Sequence, residues 1–121
     1  MENVTYDLLC ASLAEHLGLA TPLVSGNGAR FKFAARGKAT VYHRQIASGN
    51  QAEVAFEVES MALRLRMSQT AFLTFVSQLK AATGRPVEMN PIHNWPRVGV
   101  ATLLHVALIR EAVQQQIRAA L

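Results

Sequence analysis

Among the side chains of this 121-residue chain that could hold a metal or move a proton are four histidines, one cysteine and eight acidic residues. A metal site on one helix needs ligands about one turn apart so that they converge on a single ion. His16, His43, His93 and His105 include no pair at three- or four-residue spacing, and one cysteine supplies no second ligand. No metal and no organic cofactor is therefore expected. Cys10 has no disulfide partner and falls in an apolar helical pattern, where sulfur acts as a small hydrophobe. Gly26-Asn27-Gly28 resembles the opening of a phosphate-cradling loop, but neither a third glycine nor a Lys-Ser/Thr pair follows, and the next residues read as a strand; it is read as a turn. No Gly-x-Ser-x-Gly elbow is present. The remaining route to enzyme chemistry is a general acid/base pair of His43 with Glu57, which needs neighbouring strands to bring the two together.

Charge offers a different chemistry. Twelve Lys and Arg against eight Asp and Glu give a formal net charge of +4. Five of the cations, Arg30, Lys32, Arg36, Lys38 and Arg44, occupy a span without an acid, followed closely by Glu53, Glu57 and Glu59. With Phe31, Phe33, Tyr42 and Phe56 alongside, this span invites a nucleic-acid reading in which cations contact phosphate and rings stack on bases. Strand parity opposes the stacking half. Phe31 and Phe33 point away from Arg30 and Lys32, so the phenylalanines serve better as core, and an anion-binding surface made of the cations alone is the alternative that survives.

The elements that must position these residues follow from periodicity. Tyr6, Leu9, Cys10, Leu13, Ala14 and Leu17 recur at helical steps from Thr5 to Leu17, with Gly18 placed for a C-terminal cap. Thr21-Pro22 and Ser25 to Gly28 keep the chain irregular until Arg30. Arg30 to Ala34 alternates as a strand, Gly37 permits the reversal, and Thr40 to Ile46 returns, so a hairpin is predicted. After a turn at Ser48 to Gln51, Val54, Phe56 and Val58 alternate with Glu53, Ala55 and Glu57 as a third strand. Residues 59–67 fit a bulged continuation, a fourth strand or a short helical turn. Ser68 is an N-cap for a helix carried by Phe72, Phe75, Val76, Leu79 and Ala82 and ended by Gly84 and Pro86. Short strands are expected at Pro86 to Met89 and Val98 to Val100, with Trp95 anchoring the loop between them. A long helix runs from about Thr102 to Ala120. Its first half, through Ile109, is apolar around most of its circumference and should be buried on more than one side.

These elements make a single α+β domain over residues 1–121. It has an antiparallel sheet of about three to five strands, an N-terminal helix, a middle helix and a long C-terminal helix. No apolar run reaches the ~20 residues that cross a bilayer, and the first residues lack a basic signal-peptide start, so a cytoplasmic protein is expected. A helix apolar nearly all round is hard to bury in so short a chain, and a homodimer would cover the excess.

This order of elements resembles the small dimeric chaperones of type III secretion systems. The likeness is carried by Asp7-Leu8-Leu9-Cys10-Ala11-Ser12-Leu13-Ala14-Glu15-His16-Leu17-Gly18-Leu19, similar to their opening helix and its Leu-Gly-Leu turn. It is also carried by Thr83-Gly84-Arg85-Pro86-Val87-Glu88-Met89-Asn90, similar to their step from the second helix into a strand. The resemblance implies a non-enzymatic homodimer that holds an extended segment of a client polypeptide, without nucleotide or metal, and it transfers no site residues. An extended client can add to an open sheet edge and seat side chains in apolar grooves. Phe31, Val41, Tyr42 and Ile46 are the candidate client contacts, with burial in the core as the competing role for each.

Overall fold

Local signals start and stop the helices where capping chemistry requires. The first helix, α1 (Val4–Leu17), opens at Asn3, whose side chain accepts from the Tyr6 N–H at 2.9 Å, and closes at Gly18, whose φ of 87° favours glycine. The computed structural model describes residues 3–24, 26–33, 37–43, 50–85 and 96–119. After α1 come β1 (Ala20–Pro22), β2 (Gly28–Phe33), β3 (Gly37–Tyr42), β4 (Ala52–Phe56), α2 (Val58–Arg64), α3 (Gln69–Thr83), β5 (Arg97–Val100) and α4 (Leu103–Ala119). The five strands form one sheet in the order β1-β2-β3-β4-β5, every neighbouring pair antiparallel. The chain is an α+β domain of the predicted kind.

Register decides what each face of the sheet carries. Phe31 pairs with Ala39, Ala39 with Phe56, Val41 with Val54, and Val54 with Val98, so these residues share one face. All are buried, packed with Leu9, Leu13 and Leu17 of α1, Phe72 and Val76 of α3, and Val106, Ile109 and Val113 of α4. That single cluster is the core. The α3 caps are those the sequence predicts: Ser68 Oγ accepts from the Ala71 N–H at 3.0 Å, and Gly84 adopts the left-handed conformation.

Three expectations change, and one of the alternatives left open for 59–67 is present. The stretch expected to stay irregular contains β1, which pairs Ala20 with Phe31 and Pro22 with Ala29, and β2 already begins at Gly28. The alternation through Val54 and Phe56 stops there, since Val58 opens α2. Within 59–67 the helical alternative holds for the first part, because Val58, Met61, Ala62 and Leu65 bring helical spacing to one side and Met61, Ala62 and Leu65 are buried. Finally, α4 buries one side only: Val106, Ile109 and Val113 face the core while Leu103, Leu104 and Leu108 remain exposed. Two layers give a peripheral helix one apolar neighbour surface, so a helix apolar all round is left half covered. The strand expected at Pro86 to Met89, the Trp95 anchor and Ile46 lie outside the described residues.

Candidate binding surface

The outward sides of α1 and α4 carry an apolar surface that can be traced from residue to residue. Asn3 Nδ2 donates to the Gln51 carbonyl at 2.7 Å, and the Gln51 N–H donates to the Val100 carbonyl at 2.8 Å, just before α4. Both helices therefore leave from the same end of the sheet. Farther along, Arg110 of α4 grips Glu15 of α1 through Nε at 3.1 Å and Nη2 at 3.3 Å. Two turns back from this ion pair, seven residues on each helix, stand Leu8 and Leu103, with exposed Ala11 and Ala107 between. Val4 is 58%, Leu8 42%, Leu103 50%, Leu104 67% and Leu108 36% exposed.

The client contacts expected on the sheet are placed differently. Phe31 and Val41 are wholly buried beneath the helices. Tyr42 is half-buried on the opposite face, its ring 4.4 Å from the Arg97 guanidinium carbon. Among the cations, Arg30 is half-buried and its Nε donates to Thr40 Oγ1 at 3.3 Å, while the β2–β3 register sets Lys32 opposite Lys38. Arg36 and Arg44 lie outside the described residues. Phe31 and Phe56 belong to the core, as strand parity requires, and offer no face to a base.

The edge at β1 is blunted. The Leu23 N–H donates to the Gly28 carbonyl, so by the alternation of antiparallel pairs Thr21 turns its backbone groups toward Arg30, and Ala20 and Pro22 turn theirs outward. Pro22 has no N–H to offer there, which is how proline is accommodated on edge strands and how short edges resist pairing. Leu19 and Val24, on either side of β1, are almost completely exposed.

His43 and Glu57 are not brought together. His43 follows Tyr42, which pairs with Glu53, whereas Glu57 follows Phe56, which pairs with Ala39, so the two occupy opposite ends of the β3–β4 ladder, roughly 17 Å apart along it. Each is engaged locally: His43 Nε2 lies 2.7 Å from the Gly26 carbonyl, and Glu57 accepts from Ser60 Oγ. His105 is part of the start of α4, where its Nδ1 accepts from the Ala101 N–H and Thr102 Oγ1 accepts from the His105 N–H. Among the described residues no group of three His, Cys, Asp or Glu converges to hold a metal. Burial raises the Cys10 thiol, leaving it protonated at neutral pH, and burial with Cys10 nearby pushes Tyr6 up to about 12.

Sequence reasoning missed a buried polar network on the second face of the sheet. Glu53 of β4 is fully buried, and Arg97 of β5 nearly so; Arg97 Nη1 lies 3.5 Å from Glu53 Oε1. Asn50 Nδ2 donates to Glu53 Oε2 at 2.8 Å, and Arg85 Nε donates to Asn50 Oδ1 at 2.7 Å. A Cβ on Gly99 would lie 2.5 Å from Asn50 Nδ2, so glycine is what leaves Asn50 its place. The available signal was parity: Glu53 and Arg97 share the strand face opposite Val54 and Val98. No helix of the described residues is long and apolar enough to cross a membrane. No protein-family model matches the chain, nor does any curated protein or solved structure.

Proposed function

We propose that this protein is a non-enzymatic homodimeric binding protein, chaperone-like in that it holds an extended segment of a client polypeptide. The observation that carries this reading is the set of large aliphatic side chains left outside a finished core. Leu19 and Val24 flank the β1 edge, and Leu8, Leu103, Leu104 and Leu108 lie on α1 and α4. Exposed apolar side chains in this number support association with a partner. The separation of His43 from Glu57 removes the one acid/base pair the sequence suggested. The resemblance to type III secretion chaperones agrees with this assignment.

Because Pro22 limits backbone pairing at β1, side-chain contacts with Leu19 and Val24 supply most of the client affinity there. The test compares fluorescent extended peptides, rich in Leu and Val, with oligonucleotides across a salt series. Peptide binding should change little with salt, whereas a phosphate-held complex weakens steeply. Leu19→Asp with Val24→Asp should abolish peptide binding without lowering the melting temperature. Submicromolar oligonucleotide binding at physiological salt, with no peptide retained, overturns the reading in favour of the anion surface of Arg30, Lys32, Arg36, Lys38 and Arg44.

A further inference from the structure

We infer that the start of α4 is a pH-sensitive joint: while His105 is neutral its ring closes the helix cap, and protonation of the ring opens the first turn. This stands apart from the binding reading. Only Ala101 and Thr102 separate β5 from α4. Val100 is fixed in the sheet, where its carbonyl accepts from the Gln51 N–H, and Val106 is the first residue of α4 to reach the core. None of residues 101–105 is buried. Burial therefore does not hold this turn, and its caps decide whether it forms.

Two side chains make the cap, and they act reciprocally. Thr102 Oγ1 accepts from the His105 N–H at 3.3 Å, as a threonine N-cap does for the third residue of a helix. His105 reaches back as glutamate or glutamine does in a capping box, its Nδ1 accepting from the Ala101 N–H at 3.0 Å. A ring nitrogen accepts only when it carries no proton. The neutral ring with its hydrogen on Nε2 fits this bond, whereas the imidazolium would set N–H against N–H. The cation would also stand at the positive end of the helix dipole, in a first turn that holds no acidic residue to offset it. Asn3 and Ser68, which cap α1 and α3, do not titrate. A histidine does so near neutrality.

The surrounding charges leave that sign unchanged. On the elements packed against α4, the titratable and charged groups are Tyr6, Asp7, Cys10, Glu15 and His16 of α1, Lys80 of α3 and Arg97 of β5. Glu15 is held by Arg110, Arg97 lies beside Glu53, and Asp7 is exposed. Tyr6 and Cys10 keep their protons at neutral pH, and His16 is at the end of α1 far from the joint. On α4 itself Arg110, Glu111 and Arg118 begin more than a turn beyond His105. Order at the joint is complete above the ordinary histidine range and is lost as pH falls through it, around 6.5.

Amide hydrogen exchange read by NMR near pH 7.5 and pH 5.5, corrected for the intrinsic pH dependence, tests this on the unmodified chain. Protection of the Ala101, His105 and Val106 amides should fall at least ~5-fold at the lower pH, the worth of one cap, while Ile109 and Val113 keep theirs. The fall should follow the titration of the His105 ring signals. His105→Gln keeps an acceptor at every pH and should show no fall. Ring nitrogen shifts should report the Nε2–H tautomer at the higher pH, a measurement that needs no variant. Equal protection on both sides of the His105 titration, an equal fall in His105→Gln, or the Nδ1–H tautomer each overturns the inference.

Discussion

Replacing Arg97 by Met tests whether the second sheet face is a true interior. The substitution keeps most of the side-chain length and removes the cation 3.5 Å from a carboxylate with no solvent exposure. Glu53 keeps its hydrogen bond from Asn50 and loses the Arg97 guanidinium beside it. Breaking a buried ion pair from one side costs about 3–5 kcal/mol, against a total stability of roughly 6–18 kcal/mol for a domain of this length. The melting temperature should fall by about 10–20 °C. Glu53→Gln removes the charge from the other side and should cost less, about 2–4 kcal/mol, because Arg97 retains the Tyr42 ring beneath it. The double variant removes both members of the pair, so its cost should fall short of the sum of the two single costs by about 2–3 kcal/mol in urea unfolding of all four proteins. Additive single effects, or a cost below about 1 kcal/mol for Arg97→Met, would refute the reasoning and assign the pair the weight of a surface salt bridge.

Two further outcomes follow from the β2–β3 register and from the burial of Tyr6 and Cys10. A Cβ on Gly28 would sit 2.0 Å from the Val41 carbonyl oxygen, and since that atom is backbone in the β2–β3 ladder the strands must part; Gly28→Ala should cost about 3 kcal/mol or more by urea unfolding, and an unchanged midpoint would contradict the register. Tyr6 is raised from 10.0 to about 12 and Cys10 is also raised, so the folded state holds these protons more tightly than the unfolded chain. Their stabilising contribution is complete below pH 9, begins to fall as Cys10 titrates, and is lost for Tyr6 as pH rises from 10 through 12. Tyr6→Phe should flatten the stability profile between those last two values, and a tyrosinate absorbance step for Tyr6 near pH 10 in the folded protein would sink the argument.

What the sequence by itself determined is what depends on neighbours within a turn or a pleat. The cap at Ser68, the stop at Gly84, the stripe of Leu9, Leu13 and Leu17, and the parity that buries Phe31 opposite Arg30 are consequences of helical and strand periods, and each is present in the fold. Sequence also showed that the first half of α4 is apolar on too many sides, because composition around a helix can be counted without knowing its neighbours. Only the tertiary structure decided which side finds the core, since that depends on where β5 delivers the helix and on α1 lying beside it. The same holds for β1, whose three residues form a strand because β2 offers them a ladder, and for α2, where burial of Met61 and Leu65 on one side overrides the alternation with Arg64 and Arg66. Glu53 and Arg97 are 44 residues apart and meet because β4 and β5 pair, while His43 and Glu57 are 14 apart and are separated by the length of the β3–β4 ladder. Proximity between such side chains is a property of strand register, fixed by the burial of the whole sheet, and no local pattern encodes it.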